Sequence, residues 1–393
     1  KTLEAIKILE NASGLTKSEA KELMLKKVEE DSRAEIASIF RKKYKLAEQN
    51  SKQEVNNILS QAVTRYAGEF AAERLINNIP LKHFDIRAKE LMQSYLKLIN
   101  VDISDYTFAQ NYIWLSTATG FYSIIDDTFC LFILNGGELS MLLPPLGKKE
   151  NIHKAILSCF EIMNSNNSNR YYSKIEYVHE QILESFVDYL EEGTVIFESL
   201  QDFVIEKKLV DYIYKVDDLI ELKGDAYKSK RNEINRFKKA YPNHKIEVLD
   251  KYKHGPSILS LFNKWVSDRT KYMPKEEVEV FMDGIYFERF AIKRLINEYE
   301  KLDVVGIVIF IDDELKGFTV GERINDTTSC VIIEKTDFEV LGCAQFIFRE
   351  FSKYLKNEYG SVYVNVGDDM GFENLKKVKM SYRPDKLVPK YTI

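Results

Sequence analysis

The chain has 393 residues, with 56 Lys+Arg against 61 Asp+Glu and a net charge of −5. A hydrophobic fraction of 45% with 23 Tyr and 23 Phe excludes a wholly disordered chain. No apolar run approaches the ~18 residues of a membrane span, no signal-peptide pattern is present, and the chain starts at Lys1 rather than Met.

Residues 1–80 differ from the rest. They hold 14 basic and 12 acidic residues, with Gly14, Gly68 and Pro80 as their only Gly or Pro. Mixed charge without breakers predicts a long exposed helix. Thr16-Lys17-Ser18-Glu19 is a capping box with Leu15 as its hydrophobic staple. Val28, Ile36, Ile39, Phe40, Val55, Ile58, Leu59, Ala62, Val63, Tyr66 and Phe70 then recur at helical spacing. The stripe thins between Arg41 and Glu54, where a partner helix of a coiled coil would supply the missing burial. Pro80 stops the pattern.

From Phe84 onward the pattern is mixed. Asp85 is placed to cap a helix reaching about Asn100. Ser104 or Asp105 is placed to cap a second, with Phe108, Tyr112 and Trp114. Phe121–Ile125 and Phe129–Leu134 read as strands around the Asp126-Asp127 turn. Leu139–Leu143 reads as a strand before Pro144-Pro145-Leu146-Gly147. A helix is expected from about Asn151 to Asn164, then an Asn/Ser surface loop at 164–169.

After about Glu206 a second α/β set begins. A basic helix is expected over Asp225–Tyr241, then helices over Ser257–Arg269 and Val278–Tyr299. Val304–Ile311 is a nearly unbroken apolar run, the mark of a buried strand. Asp312-Asp313-Glu314 turns it into Leu315–Glu322 as a hairpin. Val331–Ile333 is a further strand, Cys343–Lys356 a helix and Val362–Val366 a strand. This order, strand hairpin, strand, helix, strand, is that of the GNAT acyltransferase core.

Several sites carry chemistry. Residues 223–245 hold eight Lys+Arg and two acids. Tyr227, Ile234, Phe237 and Tyr241 form the apolar stripe of that helix, with Lys228, Arg231, Asn235, Lys238 and Lys239 beside it. Lys230 falls within the stripe, where an ammonium is costly unless paired or used or unless it snorkels to water. The cluster can hold phosphates, or it is a plain solvated helix face. Asn365 faces opposite to Val364 and Val366 on its strand. Asp369 either caps the helix after the Asp368–Gly371 turn or lines a pocket at the strand end. Tyr382 is a candidate general acid or a packing residue before Pro384. Lys379 belongs to a run of six Lys+Arg between 376 and 390. Glu334-Lys335 ends a strand, as one catalytic charge with its ion-pair partner or as an edge-strand pair. Gly342 alone stands for a phosphate loop before the helix at Cys343, whose amides can bind an anion. No GxSxG elbow, Walker loop or GxGxxG fingerprint occurs. The four cysteines, Cys130, Cys159, Cys330 and Cys343, form no CxxC pair, so no zinc site or disulfide framework is indicated and a cytoplasmic setting is expected.

Two resemblances follow. SGLTKSEAKELMLKKVEEDSRAEI and ILSQAVTRYAGEFAAERLINNIPL resemble the helix of bacterial ribonuclease Y that precedes its KH domain. No GxxG loop follows, and none of His83, His153, His179, His244 and His254 precedes Asp, so neither the KH nor the nuclease domain is expected. The resemblance implies a scaffolding or homo-oligomerising helix over residues 16–79, joined to another protein near 81–88. DYIYKVDDLIELKGDAYKSKRNEINRFKKAYP, GFTVGE, IIEKTD and YVNVGDDMGFENLKKVKMSYRP, with SDYTFAQNYIW and LPPLG, resemble the DUF2156 relatives of the phosphatidylglycerol lysyltransferase catalytic domain. This implies an α+β fold of tandem GNAT-like lobes, mixed sheets with flanking helices, at 83–206 and 207–393 behind a helical segment at 1–82. It implies transfer of an acyl or aminoacyl group to an amine or hydroxyl on a lipid or small molecule. Acyl-CoA or aminoacyl-tRNA is the expected donor, with no tightly bound cofactor and no metal. On this reading Asp369, Asn365 and Tyr382 are catalytic, Lys230, Arg231, Asn232, Lys379 and Glu334 bind substrate, and the protein is cytoplasmic or peripheral at a membrane. The alternative is a non-catalytic scaffold of an RNA-processing protein.

Overall fold

The computed structural model describes residues 81–116, 118–184, 189–191, 194–196, 203–271 and 273–393. The helix expected over 1–80, its capping box and its oligomerising stripe lie outside these residues. The chain divides into two units, 1–64 and 65–393, and every described residue belongs to the second.

A short strand β1 (Lys82–His83) and a 3-10 turn (Ile86–Ala88), capped by Asp85, lead into α1 (Lys89–Leu96) and α2 (Phe108–Trp114). Strands β2 (Thr119–Ile125), β3 (Thr128–Asn135) and β4 (Glu138–Met141) follow. With β1 they make an antiparallel four-stranded sheet in the order β1-β2-β3-β4. Asp126 and Asp127 take left-handed φ angles of 46° and 59° at the β2–β3 turn, as a two-residue hairpin needs. The next helix, α3 (Lys149–Asn166), is longer than expected. Asn167 then acts as a substitute strand, exchanging amide bonds with Leu139 N–H and C=O at 2.6 and 2.9 Å.

The chain continues through β5 (Val178–His179), α4 (Glu180–Glu184) and a hairpin of β6 (Tyr189–Glu191) and β7 (Thr194–Ile196). The larger half contains β8 (Glu206–Lys215), α5 (Val216–Glu221), α6 (Lys228–Ala240) and β9 (Lys245–Val248). Then come α7 (Lys251–Thr270), α8 (Lys275–Glu298), β10 (Val304–Ile311), β11 (Glu314–Arg323) and β12 (Thr328–Thr336). It ends with α9 (Cys343–Tyr359), β13 (Tyr363–Asn365), α10 (Glu373–Met380) and β14 (Lys386–Thr392). These build an eight-stranded sheet in the order β5-β14-β8-β13-β12-β11-β10-β9.

Helix α7 starts six residues before Ser257, because Asp250 caps it, accepting from Tyr252 and Lys253 N–H at 2.8 and 3.0 Å. Gly255-Pro256, a break in the sequence pattern, sits inside its second turn. The α2 cap also differs from expectation: Thr107 holds that position. Ser104 instead donates to Asp211 at 2.8 Å, and Asp105 meets Lys390 at 2.8 Å.

One apolar core runs from under the four-stranded sheet to the α7/α8 face of the large sheet. A second lies on the other face, among β8, α5, α6 and α9. The first is crossed by ionic bonds. Lys390, 1% exposed, reaches Asp105 at 2.8 Å, Asp211 at 2.9 Å and Asp368 at 2.6 Å. Burial alone would disfavour its charge, but the surrounding carboxylates hold its pKa well above the usual lysine value. Removing one member of such a group leaves buried charge unanswered. Lys390→Met is expected to cost about 3–5 kcal/mol of unfolding free energy, measured by urea titration with the m-value retained.

Candidate functional site

The site is set by a break in the large sheet. Strand β12 pairs with β11 along its length, but with β13 only over Thr328–Cys330, in parallel. Past Cys330 the two strands part. Glu334 lies in the unpaired half of β12, opposite Thr319 of β11. Its Oε2 is buried and has no hydrogen-bond partner, as is true of the Thr319 hydroxyl. Burial pushes the Glu334 carboxyl up to about 8, because desolvation disfavours the charged form. Lys335 faces the other way, paired with Glu288 at 2.8 Å and 3.8 Å over the Trp265 ring.

Tyr382 shares the second core with Tyr214, Tyr227 and Phe348. Its ring packs edge-on to Tyr214 and Phe348 at 6.2 and 5.2 Å. Burial, with the negative field of Glu334 and Glu233, holds the phenol far above its ordinary pKa, so its proton stays on. Lys230 Nζ rests 4.4 Å over this ring. It has neither an ion pair nor a hydrogen bond to a described residue, and desolvation depresses its pKa. Glu233 Oε2, one turn on, is also buried and unpartnered. Lys228, Ser229, Asn232, Glu233 and Arg236 line a shallow open depression on the exposed face of α6, away from the stripe that carries Lys230.

The other expected residues have structural partners. Arg231 donates to the Leu222 carbonyl and, at 2.6 Å, to that of Gly224, closing the end of α5. Asn365 is fully buried and spends its side chain on Asp102 O (2.6 Å), Asp211 (2.7 Å) and Gly367 N–H (2.7 Å). It faces the segment around Asp102, opposite to Val364, which packs in the core that holds Tyr382. Lys379 Nζ clamps the carbonyls of Val366, Gly367 and Asp368 at 2.6, 3.0 and 2.5 Å. Burial depresses its pKa to about 8. Asp369 accepts from the Tyr212 hydroxyl at 2.5 Å and Gly371 N–H at 2.9 Å. Burial opposes its ionisation, yet these bonds hold its pKa below the usual value. The following helix begins only at Glu373, with Phe372 at its cap position.

Gly342, at φ 83°, starts α9. A Cβ there would meet the Glu233 carbonyl at 2.4 Å, so only glycine lets α6 pack this closely. From sequence Asp105 is a cap candidate and Lys390 one of the basic run 376–390, and nothing there joins them to Asp211. The signal was Asp211 inside the strand run Val210–Tyr214, since a mid-strand acid requires a partner. Among the described residues no group of His, Cys, Asp and Glu has a metal-holding arrangement.

The comparisons with known proteins fit this architecture. The family profile of phosphatidylglycerol lysyltransferase, C-terminal, matches residues 96–393, and that of the ribonuclease Y N-terminal region matches residues 3–70. Three solved structures share the fold. A conserved protein of unknown function from Bacteroides thetaiotaomicron VPI-5482 has a TM-score of 0.68 at 23% identity, over 80% of this chain and 98% of that one. The DUF2156 domain of a putative lysylphosphatidylglycerol synthetase from Agrobacterium fabrum has 0.55 at 12%, over 78% and 92%. L-PGS from Bacillus licheniformis has 0.51 at 13%, over 77% and 90%. The chain has the α+β fold of these domains and belongs to the phosphatidylglycerol lysyltransferase C-terminal family, an acyltransferase class. Its N-terminal stretch is similar to ribonuclease Y: 81% identical to that of Aliarcobacter butzleri (strain RM4018) over 89 residues, 23% of this chain and 17% of that one. The chain therefore spans under a fifth of that relative's length.

Lys230 and Lys379 are both depressed lysines, but one is unpartnered and the other fully bonded. Lys230→Met is expected to leave thermal stability unchanged or raised, because it removes a desolvated charge. Lys379→Met is expected to cost about 2–4 kcal/mol by freeing buried carbonyls. Paired melting curves check the contrast.

Proposed function

We propose that the chain transfers an acyl or aminoacyl group from a phosphate-bearing donor, aminoacyl-tRNA or acyl-CoA, to an amine or hydroxyl acceptor. The reaction is assigned to the opening between β12 and β13. The observation that carries this reading is the buried Glu334 Oε2 and the raised pKa of its carboxyl, near a protonated Tyr382 and a Lys230 with no ion pair to a described residue. Groups left unsatisfied in this way destabilise the fold and are retained where chemistry uses them.

The acceptor's amine or hydroxyl attacks the donor carbonyl. A C–N or C–O bond forms, and the ester C–O bond to tRNA or the thioester C–S bond to CoA breaks. Ionised Glu334 takes the acceptor's proton and delivers it to the leaving oxygen or sulfur, while the Tyr382 hydroxyl, which keeps its proton, donates a hydrogen bond to that leaving atom. Lys230, over the Tyr382 ring, faces the donor phosphates, and Lys228, Asn232 and Arg236 offer further phosphate contacts on the exposed face of α6. Asp369, braced by Tyr212, orients the acceptor, while Asn365, Lys379 and Arg231 position the elements that carry the site. No resident cofactor enters this scheme.

The pH dependence follows from Glu334. A base with a pKa of about 8 makes transfer rise with pH up to that region. Glu334→Gln is expected to lower transfer by about 10²–10⁴-fold and to abolish that rise. The same substitution is expected to stabilise the protein at pH 8. A carboxyl raised in the folded state binds more protons there than when unfolded. Stability is therefore lost as pH climbs from about 4.3 toward 8, and glutamine escapes this penalty, of the order of 5 kcal/mol. Slower turnover without the stability gain at pH 8, or parental turnover, would sink the assignment.

The ribonuclease Y-like segment favours a second role, homo-oligomerisation. Deleting residues 1–82 is expected to abolish self-association in sedimentation and to leave donor binding intact. Loss of all donor binding would favour a scaffold instead.

A further inference from the structure

Thr319 stands across from the candidate base with a hydroxyl that bonds to no described residue. It lies on β11 directly opposite Glu334 of β12 and is 0% exposed. Residues opposite each other on paired strands put their side chains on one face, with Cβ atoms about 4.5–5.5 Å apart. The Thr319 hydroxyl and Glu334 Oε2 are both buried and both without a hydrogen-bond partner. A buried hydroxyl left in this way costs stability, and valine would fill the same volume without that cost.

The surroundings of the hydroxyl are otherwise apolar on the α9 side. Gly317 and Gly321 flank Thr319 on the same face of β11. A Cβ at Gly317 would meet Ile347 at 3.4 Å, and one at Gly321 would meet Phe351 at 3.0 Å. Helix α9 therefore brings apolar side chains down on either side of Thr319. Burial raises the Glu334 pKa, and the Thr319 hydroxyl opposes that rise. Two further titratable groups feel the Glu334 charge, Cys343 of α9 and Tyr382 of the segment after α10. Burial pushes Cys343 up to about 12 and Tyr382 higher still, so both keep their protons near neutral pH. From α6, Lys230 lies over the Tyr382 ring and Glu233 acts on the same phenol.

We infer that Thr319 is a positioning residue for transfer: its O–H turns to the ionised Glu334 carboxylate, holds it toward the opening and favours its charged form. A hydroxyl can reverse its role. It donates to the carboxylate and accepts from the carboxyl once Glu334 has taken the acceptor's proton, so one neighbour serves both states of the base. The part played in transfer rests on Glu334 being the base; the pairing of the two side chains does not.

The test is urea unfolding of the full chain, without substrate, between about pH 5 and about pH 9. Parent, Thr319→Val, Thr319→Ser and Glu334→Gln are compared, with Thr319→Val also placed in the Glu334→Gln background. Loss of a bond to the charged form raises a carboxyl's folded-state pKa. The fall in stability that Glu334 imposes with rising pH is therefore expected to end roughly one pH unit higher in Thr319→Val. Thr319→Ser is expected to restore the parental course. In the Glu334→Gln background Thr319→Val is expected to leave the pH dependence unchanged. A Thr319→Val curve parallel to the parent's, or the same shift without Glu334, would overturn the inference. In transfer assays with charged tRNA and acyl-CoA as donors, the rising limb of the pH profile is expected to move up with the stability curve, with KM unchanged. A stability curve that moves while this limb stays would keep the pairing and overturn the role in transfer, because Glu334 would then not be the base.

Discussion

The structure depends on how one buried ammonium is answered. Lys390 on β14 gathers Asp105 from the segment before α2, Asp211 from β8 and Asp368 from the turn after β13. Three distant parts of the chain are drawn to one point. Their charges are removed from water, so each carboxylate is stable only while Lys390 is in place. Burial pushes Asp105 up. Asp211, equally buried, stays low because Lys390, Ser104 and Asn365 all act on it. The group therefore serves register more than net stability. It specifies where β14 lies along β8 and where the 101–111 segment crosses the sheet.

The same logic extends along that segment. Asp102 takes bonds from Asn325 at 2.9 Å and Thr328 at 2.8 Å. The buried Glu322 carboxylate receives Ala109 N–H at 3.2 Å, and burial raises its pKa to about 7. Polar fasteners along 102–109 thus tie α2 to β8, β11, β12 and β14. They also brace β13 through Asn365. Asn365 is thereby part of the support of the opening, since its amide fixes the strand whose departure from β12 creates the gap.

The strands of the core were legible because burial on both faces leaves a plain apolar signal. Val304–Ile311 matches β10 at both ends, and the Asp312-Asp313 turn follows as the hairpin rule requires. Cap residues were less legible. Ser104 and Asp105 have good capping chemistry, but long-range partners win them, and nothing local in the sequence reports Lys390 in space. Lys390 is one of six basic residues between 376 and 390, and nothing in that run marks the one that points inward. Arg231 and Lys379 matched a phosphate-binding pattern by type and spacing. Each instead answers backbone carbonyls at a helix end or turn, an equally good use of a multidentate cation. Lys230 was legible for a firmer reason: its position in the apolar stripe predicted an awkward, half-buried ammonium, and it has one.

That leaves two groups of opposite sign beside one ring and not paired with each other. Lys230 rests on the Tyr382 face, and the Glu334 Oε2 atom has no partner. An ion pair between them would relieve both desolvation costs and lower the Glu334 pKa toward ordinary values. Glycine at 342 lets α6 approach α9 closely enough to hold Lys230 on the ring. The parting of β12 and β13 leaves Glu334 paired with Thr319 of β11 on one side and at the opening on the other. The two groups are thus held by separate elements, Lys230 by α6 and Glu334 by β12, and burial acts on each by itself.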